Sequence, residues 1–294
     1  MRLTALVLAF FACMGERPAW PADSYSADIG SWRKQYGRDL LAPDGPFSLV
    51  ARWTPKRGVS SVGRDSSNEL VVPVEAAPAR IGRIEWLEGA SATLRLEPGI
   101  RATVQGKPVS EIRISEPVTV TVGEIQLVLR FRETELRVTL KDLNARTRKE
   151  AKPSVWFAVD QRYRITADWV PFPEPKTIRI PDNDGGSRGW KSPGYASFAL
   201  DGKNLTMQAI LTPDGKELSF LFRDGTAGKE TYGAGRFLET DLPKNGKVIV
   251  DFNKAYNPSC AFNPLYVCPI PPKENHLAMR IPAGERNYPH PGKH

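Results

Sequence analysis

Apolar residues recur along this chain at two spacings. Between residues 26 and 40, Ile29, Trp32, Tyr36 and Leu40 follow one another at three or four positions, the period of one helix face. Ala42-Pro-Asp-Gly45 then stops the helix with a turn. Past Gly45 the period falls towards two. Thr93-Leu-Arg-Leu96 and Leu127-Val-Leu-Arg-Phe131 partly alternate apolar and polar residues, as strands with one buried face do. Strands are predicted over 47–53, 69–73, 80–87, 91–96, 118–122, 125–132 and 135–141. Turns are expected at Pro98-Gly99, Gly106-Lys-Pro108 and Gly123-Glu124. A polar, basic run, 143–153, ends on Pro153 and reads as a short helix or a linker. Strands resume at 155–159, 163–170, 176–180, 195–200, 204–211, 217–223 and 247–252. Thr212-Pro-Asp-Gly215 is a hairpin signal between two of them. After Phe252 the alternation fails, and Asn253–Pro272 reads as an Asn/Pro/Cys-rich loop before a last strand at 277–281.

Short strands separated by turn residues predict a mainly β protein. The 26 Pro and 24 Gly agree with that, and 40% hydrophobic residues suffice for a packed core. At 294 residues the chain is long enough for about two domains. Lys and Arg exceed Asp and Glu by 41 to 33. The basic residues are interleaved with acids, as in Arg80, Arg83, Glu85 and Glu88, or Arg130, Arg132, Glu133 and Glu135. That dispersal describes a solvated surface better than a nucleic-acid face, which needs basic and aromatic residues together. Three His and three Cys argue against a metal centre, and no cofactor is expected. At the N-terminus, Arg2 precedes an apolar run from Leu3 to Met14, the pattern of a secretory signal. It is too short for a transmembrane span. The expected protein is therefore exported, periplasmic or secreted, after loss of residues 1–22. Lipid anchoring at Cys13 fits poorly because Phe10 and Phe11 precede it.

Gly63-Arg-Asp-Ser-Ser-Asn-Glu-Leu-Val-Val-Pro73 resembles the opening of a forkhead-associated domain, and Gln105-Gly-Lys-Pro-Val109 resembles its later turn. The resemblance spans roughly residues 45–141 and implies a β-sandwich. It departs from that family where a phosphothreonine would be held. Ala77-Pro-Ala-Arg80 stands where Ser and His are expected, and Gln105 stands where Asn is. The reading is a sandwich scaffold in which Arg64 ties a turn.

The segment 222–285 resembles a second family, the bacterial domain-of-unknown-function family 1684. The matching pieces are Asp224, Thr226, Gly228, Thr231-Tyr232, Gly235-Arg-Phe-Leu238, Asp251-Phe-Asn253, Ala255-Tyr-Asn-Pro258, Cys260-Ala-Phe262, Cys268-Pro269, Pro271-Pro272 and Asn275. Earlier residues, Trp32, Leu41-Ala-Pro-Asp-Gly45 and Gly63–Pro73, extend it over about 32–289. The resemblance implies no activity. The residues themselves must suggest chemistry. Thr231, Tyr232, Arg236, Asp251, Asn253, Tyr256 and Asn257 offer donors, acceptors and stacking faces suited to a small polar ligand, glycan or envelope partner. The plainer alternative is a buried network in which Arg236 and Asp251 pair across the sheet. The glycines around Thr226 and Thr231 make either tight turns or an anion cradle.

Cys260 and Cys268 have seven residues between them, and in an oxidising compartment they form a disulfide that clamps a proline-rich loop. A Cys260 nucleophile would need His276 as its base. Gly185-Gly-Ser-Arg-Gly189 matches a nucleophile-elbow pattern but lacks the strand-to-helix context. The expected organisation is a signal peptide (1–22), a helix with the first sandwich (23–142), a linker (143–153), a second antiparallel β-domain (154–288) and a disordered tail (289–294). Three functions stay open: a non-catalytic binding protein, a hydrolase-like enzyme using Asp251 or Asp224, and a structural module.

Overall fold

The computed structural model describes residues 22–289; the apolar N-terminal run, Cys13 and residues 290–294 lie outside them. Helix α1 spans Ala22–Leu40. Eleven strands follow: β1 Leu49–Trp53, β2 Gly58–Gly63, β3 Leu70–Val71, β4 Gly82–Trp86, β5 Ala92–Leu96, β6 Ala102–Val104, β7 Lys107–Val109, β8 Glu111–Ile114, β9 Val118–Val122, β10 Ile125–Arg132 and β11 Glu135–Asp142. They form two sheets, ordered β1-β11-β10-β9-β6-β7 and β3-β2-β4-β5-β8. Leu127, Leu129, Leu136, Val138 and Leu140 of the first sheet share one core with Val62, Ile84, Leu94 and Ile114 of the second. Alternation explains this directly. Each strand turns every second residue inward, so two facing sheets bury two apolar layers. In the turn after β2, Arg64 Nε donates to the Ala77 carbonyl at 3.1 Å, and Asn68 Nδ2 donates to the Asp65 and Ala79 carbonyls. Arg64 thus ties a turn, as the sequence suggests.

The segment 143–153 contains one short helix, α2 Arg146–Lys149. The second unit then adds β12 Arg164–Pro181, β13 Ser187–Leu200, β14 Lys203–Gln208, β15 Ile210–Leu211, β16 Glu217–Phe222, β17 Arg236–Asp241 and β18 Lys247–Asp251. Its sheets run β14-β13-β12-β18 and β15-β16-β17. They close on Phe198, Met207, Phe220, Phe222, Leu238, Val250 and Phe252. The β13–β14 hairpin turns on Asp201-Gly202, and the isolated Lys244–Lys247 bridge between β17 and β18 turns on Asn245-Gly246. All four residues have positive φ, from 48° to 75°, as a two-residue hairpin matched to strand twist requires.

Four sequence expectations need correction. The strands expected at 163–170 and 176–180 are one strand, β12, whose pairing slips between Pro171 and Lys176. Pro171, Pro173 and Pro175 occupy or flank that irregularity, where a proline does not cost a ladder bond. Residues 155–159 and 277–281 are not strands: the first holds a single bridge, Trp156 with Glu285, and the second holds none, the nearest being Arg223 with His276 just before it. Several strands escaped the pattern, among them β2, with polar Ser60 and Ser61 at its centre, and β17, which opens on a buried arginine. Finally, the sequence grouped the N-terminal helix with the first sandwich, whereas α1 docks on the second unit. Tyr25 reaches Asp251, Arg33 reaches the Phe157 and Asn253 carbonyls, and Tyr36 reaches Asn257 and Glu285. The predicted face does the packing: Ile29 and Leu40 are buried, and Trp32 stacks on Tyr36 at 5.6 Å. No helix among the described residues is long and apolar enough to cross a membrane.

Candidate functional site

The seven ligand-binding candidates are distributed over several hydrogen-bond networks, and four of them, Thr231, Arg236, Asn253 and Asn257, are almost wholly buried. The first network centres on Arg236, the first residue of β17. Its guanidinium pairs with Asp224 at 3.2 Å. It also donates to the carbonyls of Ile281, Ala283 and Glu285, and it lies over the Phe222 ring at 5.2 Å. Asp224 is saturated in turn by the Thr226 hydroxyl at 2.7 Å and the Ile281 amide at 2.7 Å, with Thr231 on the far side of Thr226 at 2.8 Å. The partner of Arg236 is therefore Asp224, not the Asp251 expected across the sheet. The glycine-rich loop spends its amides internally. Lys229, Glu230 and Thr231 all donate to the Thr226 carbonyl, which is the tight-turn alternative rather than an anion cradle. Gly235 is required as glycine: its φ is +109°, and a Cβ would stand 2.6 Å from the Phe222 carbonyl oxygen.

A second network joins α1 to the end of β18. Asp251 accepts the Tyr25 hydroxyl at 2.8 Å and the Asn253 amide at 3.1 Å. The Asn253 side chain clamps Asp160 through both its backbone groups. A third surrounds Glu285, a residue that sequence reasoning missed. Its carboxylate accepts the Asn257 amide at 2.7 Å and the Tyr36 hydroxyl at 3.2 Å. Burial pushes this carboxyl up to about 7, against the opposing pull of those hydrogen bonds and of Arg236.

Tyr232 belongs to the thiol cluster. Its hydroxyl approaches Cys260 Sγ at 3.7 Å, and the Cys260 amide donates to Cys268 Sγ at 3.3 Å. Both cysteines are buried, close together and unbonded. The hydrogen bond from Cys268 lowers the Cys260 thiol to about 7, and the same contact raises Cys268. His276, proposed as a base for Cys260, is instead hydrogen-bonded with the Pro271 carbonyl at 3.2 Å.

An open site exists beside these networks. The two sheets of the second unit meet at β17 and β18, where the Thr240 hydroxyl donates to the Ile249 carbonyl at 2.7 Å. Here a cleft of about 380 Å³ is lined by Glu217, Glu239, Asp241 and Asp251, by Arg164 and Lys254, and by Trp32 of α1. Register explains the acids. Glu217 pairs with Asp241 and Ser219 with Glu239, so positions two apart on each strand put all four side chains on one face. Glu239 is fixed by the Tyr256 hydroxyl at 2.6 Å and the Ser219 hydroxyl at 3.2 Å. Burial pushes its carboxyl up, and these two hydrogen bonds pull against it. Of the sequence candidates, Asp251 lines the cleft and Tyr256 supports its wall. Glu217, Glu239 and Asp241 were missed; their period-two spacing was the available signal. Among the described residues, no group of His, Cys, Asp and Glu is arranged to hold a metal ion.

Two predictions follow from the buried networks. Arg236→Met leaves Asp224 as an uncompensated buried charge and removes the guanidinium donor from the Ala283 and Glu285 carbonyls, while the Ile281 carbonyl keeps the Ala283 amide. Urea unfolding is expected to show a loss of about 3–5 kcal/mol, more than in Arg236→Met/Asp224→Asn; a loss under about 1 kcal/mol would refute the central role of the pair. Glu285 gives a pH signature. Between 4.5 and about 7 the folded chain holds a proton that the unfolded chain has released, so stability falls as pH rises through that window. The slope reaches about 1.4 kcal/mol per pH unit for one proton. Glu285→Gln should flatten it in urea titrations across the same window, and an unchanged slope would assign the effect elsewhere.

No curated protein sequence matches the chain. Among solved structures, an uncharacterized protein of Haloarcula marismortui, determined by solution NMR, is similar at 29% identity and a TM-score of 0.40, over 47% of this chain and 78% of that one. The FhaA FHA domain, crystallised with the intracellular domain of Rv3910, is similar at 18% identity and a TM-score of 0.23, over 30% of this chain and 85% of that one. The Rv0020c FHA structure is similar at 19% identity and a TM-score of 0.23, over 30% and 77%. The second β-unit, with the Arg236 network, the thiol cluster and all of the acidic cleft except Trp32, lies within residues 153–286, and those residues match the family described as "Protein of unknown function (DUF1684)".

Proposed function

We propose that the second β-unit is a non-catalytic binding module for a small polar ligand carrying a positively charged amine, held in the cleft between β17 and β18. The observation that carries this reading is the sign of the cleft. In a chain with net charge +8, Glu217, Glu239, Asp241 and Asp251 gather against only Arg164 and Lys254. Such a pocket attracts cations and repels the anions that the rest of the surface favours. Trp32 adds a flat apolar wall for a sugar face or an alkyl chain. The wall is built by α1, so the site needs the helix docked through Tyr25 and Tyr36. The hydrolase alternative loses Asp224, which is enclosed with Arg236, and Asp251 is already engaged by Tyr25 and Asn253.

Thermal-shift titration with glucosamine, cadaverine and the uncharged N-acetylglucosamine tests the assignment. The two amines are expected to stabilise the chain and the neutral sugar not to, with the effect lost in Asp241→Asn/Glu217→Gln. Stabilisation should grow as pH rises and Glu239 ionises. If neither amine acts, or the double variant responds like wild type, the cleft is not the ligand site.

We further propose that the protein is exported, on the strength of Arg2 and the apolar run Leu3–Met14, and that Cys260 and Cys268 close a disulfide there. The juxtaposed thiols support it, since the depressed Cys260 supplies the attacking thiolate and an oxidant of the compartment takes the two electrons. A loop of about nine residues closed this way contributes on the order of 2–3 kcal/mol. Mass spectrometry of protein secreted by its own host is expected to show both cysteines unreactive to alkylation before reduction; two alkylated thiols would overturn the pairing.

A further inference from the structure

A second cavity, about 310 Å³, lies on the seam between the two units. The first sandwich contributes Arg52 of β1, Thr54, and Arg137 of β11; the second unit contributes Asn183 and Asp184, from the tip of the β12–β13 hairpin, and Tyr266. Arg132, at the end of β10, adjoins it through Asp182. Three guanidinium groups from one sheet thus converge where a hairpin tip meets them.

With Arg188, these make four guanidinium groups against three carboxylates, Asp182, Asp184 and Glu135. Asp182 is fully buried and is consumed by Arg132 and by Arg188 at 2.7 Å. Asp184 spends one oxygen on the Gly186 amide at 3.1 Å and meets Arg52 only at 3.7 Å. Arg137 is held by the Thr54 hydroxyl at 2.6 Å and by Glu135, yet its Nε is buried and has no partner among the described residues. Burial and the neighbouring charges of Arg137 and Arg132 lower Arg52, against the pull of Asp184. A cluster that repels itself is stabilised by an anion placed between its members. Planar guanidinium forks match a tetrahedral phosphate in two-point fashion. The volume exceeds a bare phosphate and admits a small organic substituent.

We propose that this interdomain cavity is a binding site for a phosphate dianion or small phosphomonoester, gripped by Arg52 and Arg137 and framed by Asn183 of the hairpin tip. The site is separate from the acidic cleft in position and opposite in sign, so it stands whether or not an amine binds there. An occupant would cross-link the two units, because its ligands come from both.

Isothermal titration of the full chain with inorganic phosphate, glycerol 3-phosphate and sulfate, at fixed ionic strength set by chloride, tests this. Saturable binding of phosphate is expected, weakened about tenfold or more by Arg52→Gln and by Arg137→Gln. Tighter binding of glycerol 3-phosphate would assign the monoester as the ligand, and equal binding would assign the free ion. Asp184→Asn keeps the acceptor for the Gly186 amide and removes the one carboxylate that the described residues give the cavity wall, so it is expected to tighten binding severalfold. That gain distinguishes an anion site from a merely structural cluster, whose charge balance the same change would worsen. Absence of saturable binding by all three anions in the wild type, or weaker binding in Asp184→Asn, would overturn the proposal.

Discussion

The second unit depends on one buried cation. Between Asn253 and Tyr288 the chain has no strand that continues a sheet, only short 3-10 turns such as Ser259–Ala261 and Lys273–Asn275. Backbone carbonyls in such a segment cannot be satisfied by a ladder, and burying them unpaired is costly. Arg236 resolves this by presenting its fork to the carbonyls of Ile281, Ala283 and Glu285, while Asp224 neutralises it and takes the Ile281 amide. One ion pair thus replaces the edge strand that the apolar residues 277–281 suggest. Such pairs contribute little net stability against an apolar substitute. What this one supplies is a defined path for an otherwise irregular segment, and Asn275 does the same nearby by bonding Gln208 and Leu221.

Once that segment is placed, it organises the rest. Glu285 and Asn257 present acceptors to Tyr36, Asp251 takes Tyr25, and α1 is thereby fixed across the junction of the two sheets. Helix docking puts Trp32 over the cleft that the strand register has already lined with carboxylates. The hairpin of β12 and β13 extends in the other direction. Its tip bonds the Cys268 backbone through Asn183 and reaches the first sandwich through Asp182 and Asp184. The thiol loop, the hairpin tip and the arginines of the first sandwich are therefore one continuous joint. Oxidation of the cysteines or occupancy of the seam would act on the same contacts.

Much of the fold was legible as local pattern. The alternation in β9, β10 and β11 and the three-and-four spacing of α1 are each enforced by a single periodic backbone, so nearby residues suffice to reveal them. Even the turn chemistry of Thr212-Pro-Asp-Gly215 is a property of a few adjacent residues. The strands that escaped were short or lacked a clear apolar run, as β2 does with serines at its centre and β6 with three residues.

The site was legible only as residue types. The sequence by itself determined that Arg236, Asp251, Asn253 and Asn257 had to be paired if buried, because no such group enters a core without partners. It also determined the mainly β class and the apolar face of the first helix. Which partners they found was decided by the tertiary structure. Asp224 rather than Asp251 faces Arg236, α1 covers the second unit rather than the first, and Glu217 and Glu239 face a cleft while Glu285 is enclosed. The physical reason is range. Periodicity and turn propensity act over a few residues, whereas a hydrogen bond such as Tyr25 to Asp251 joins positions 226 residues apart, and only the packed chain brings them within reach.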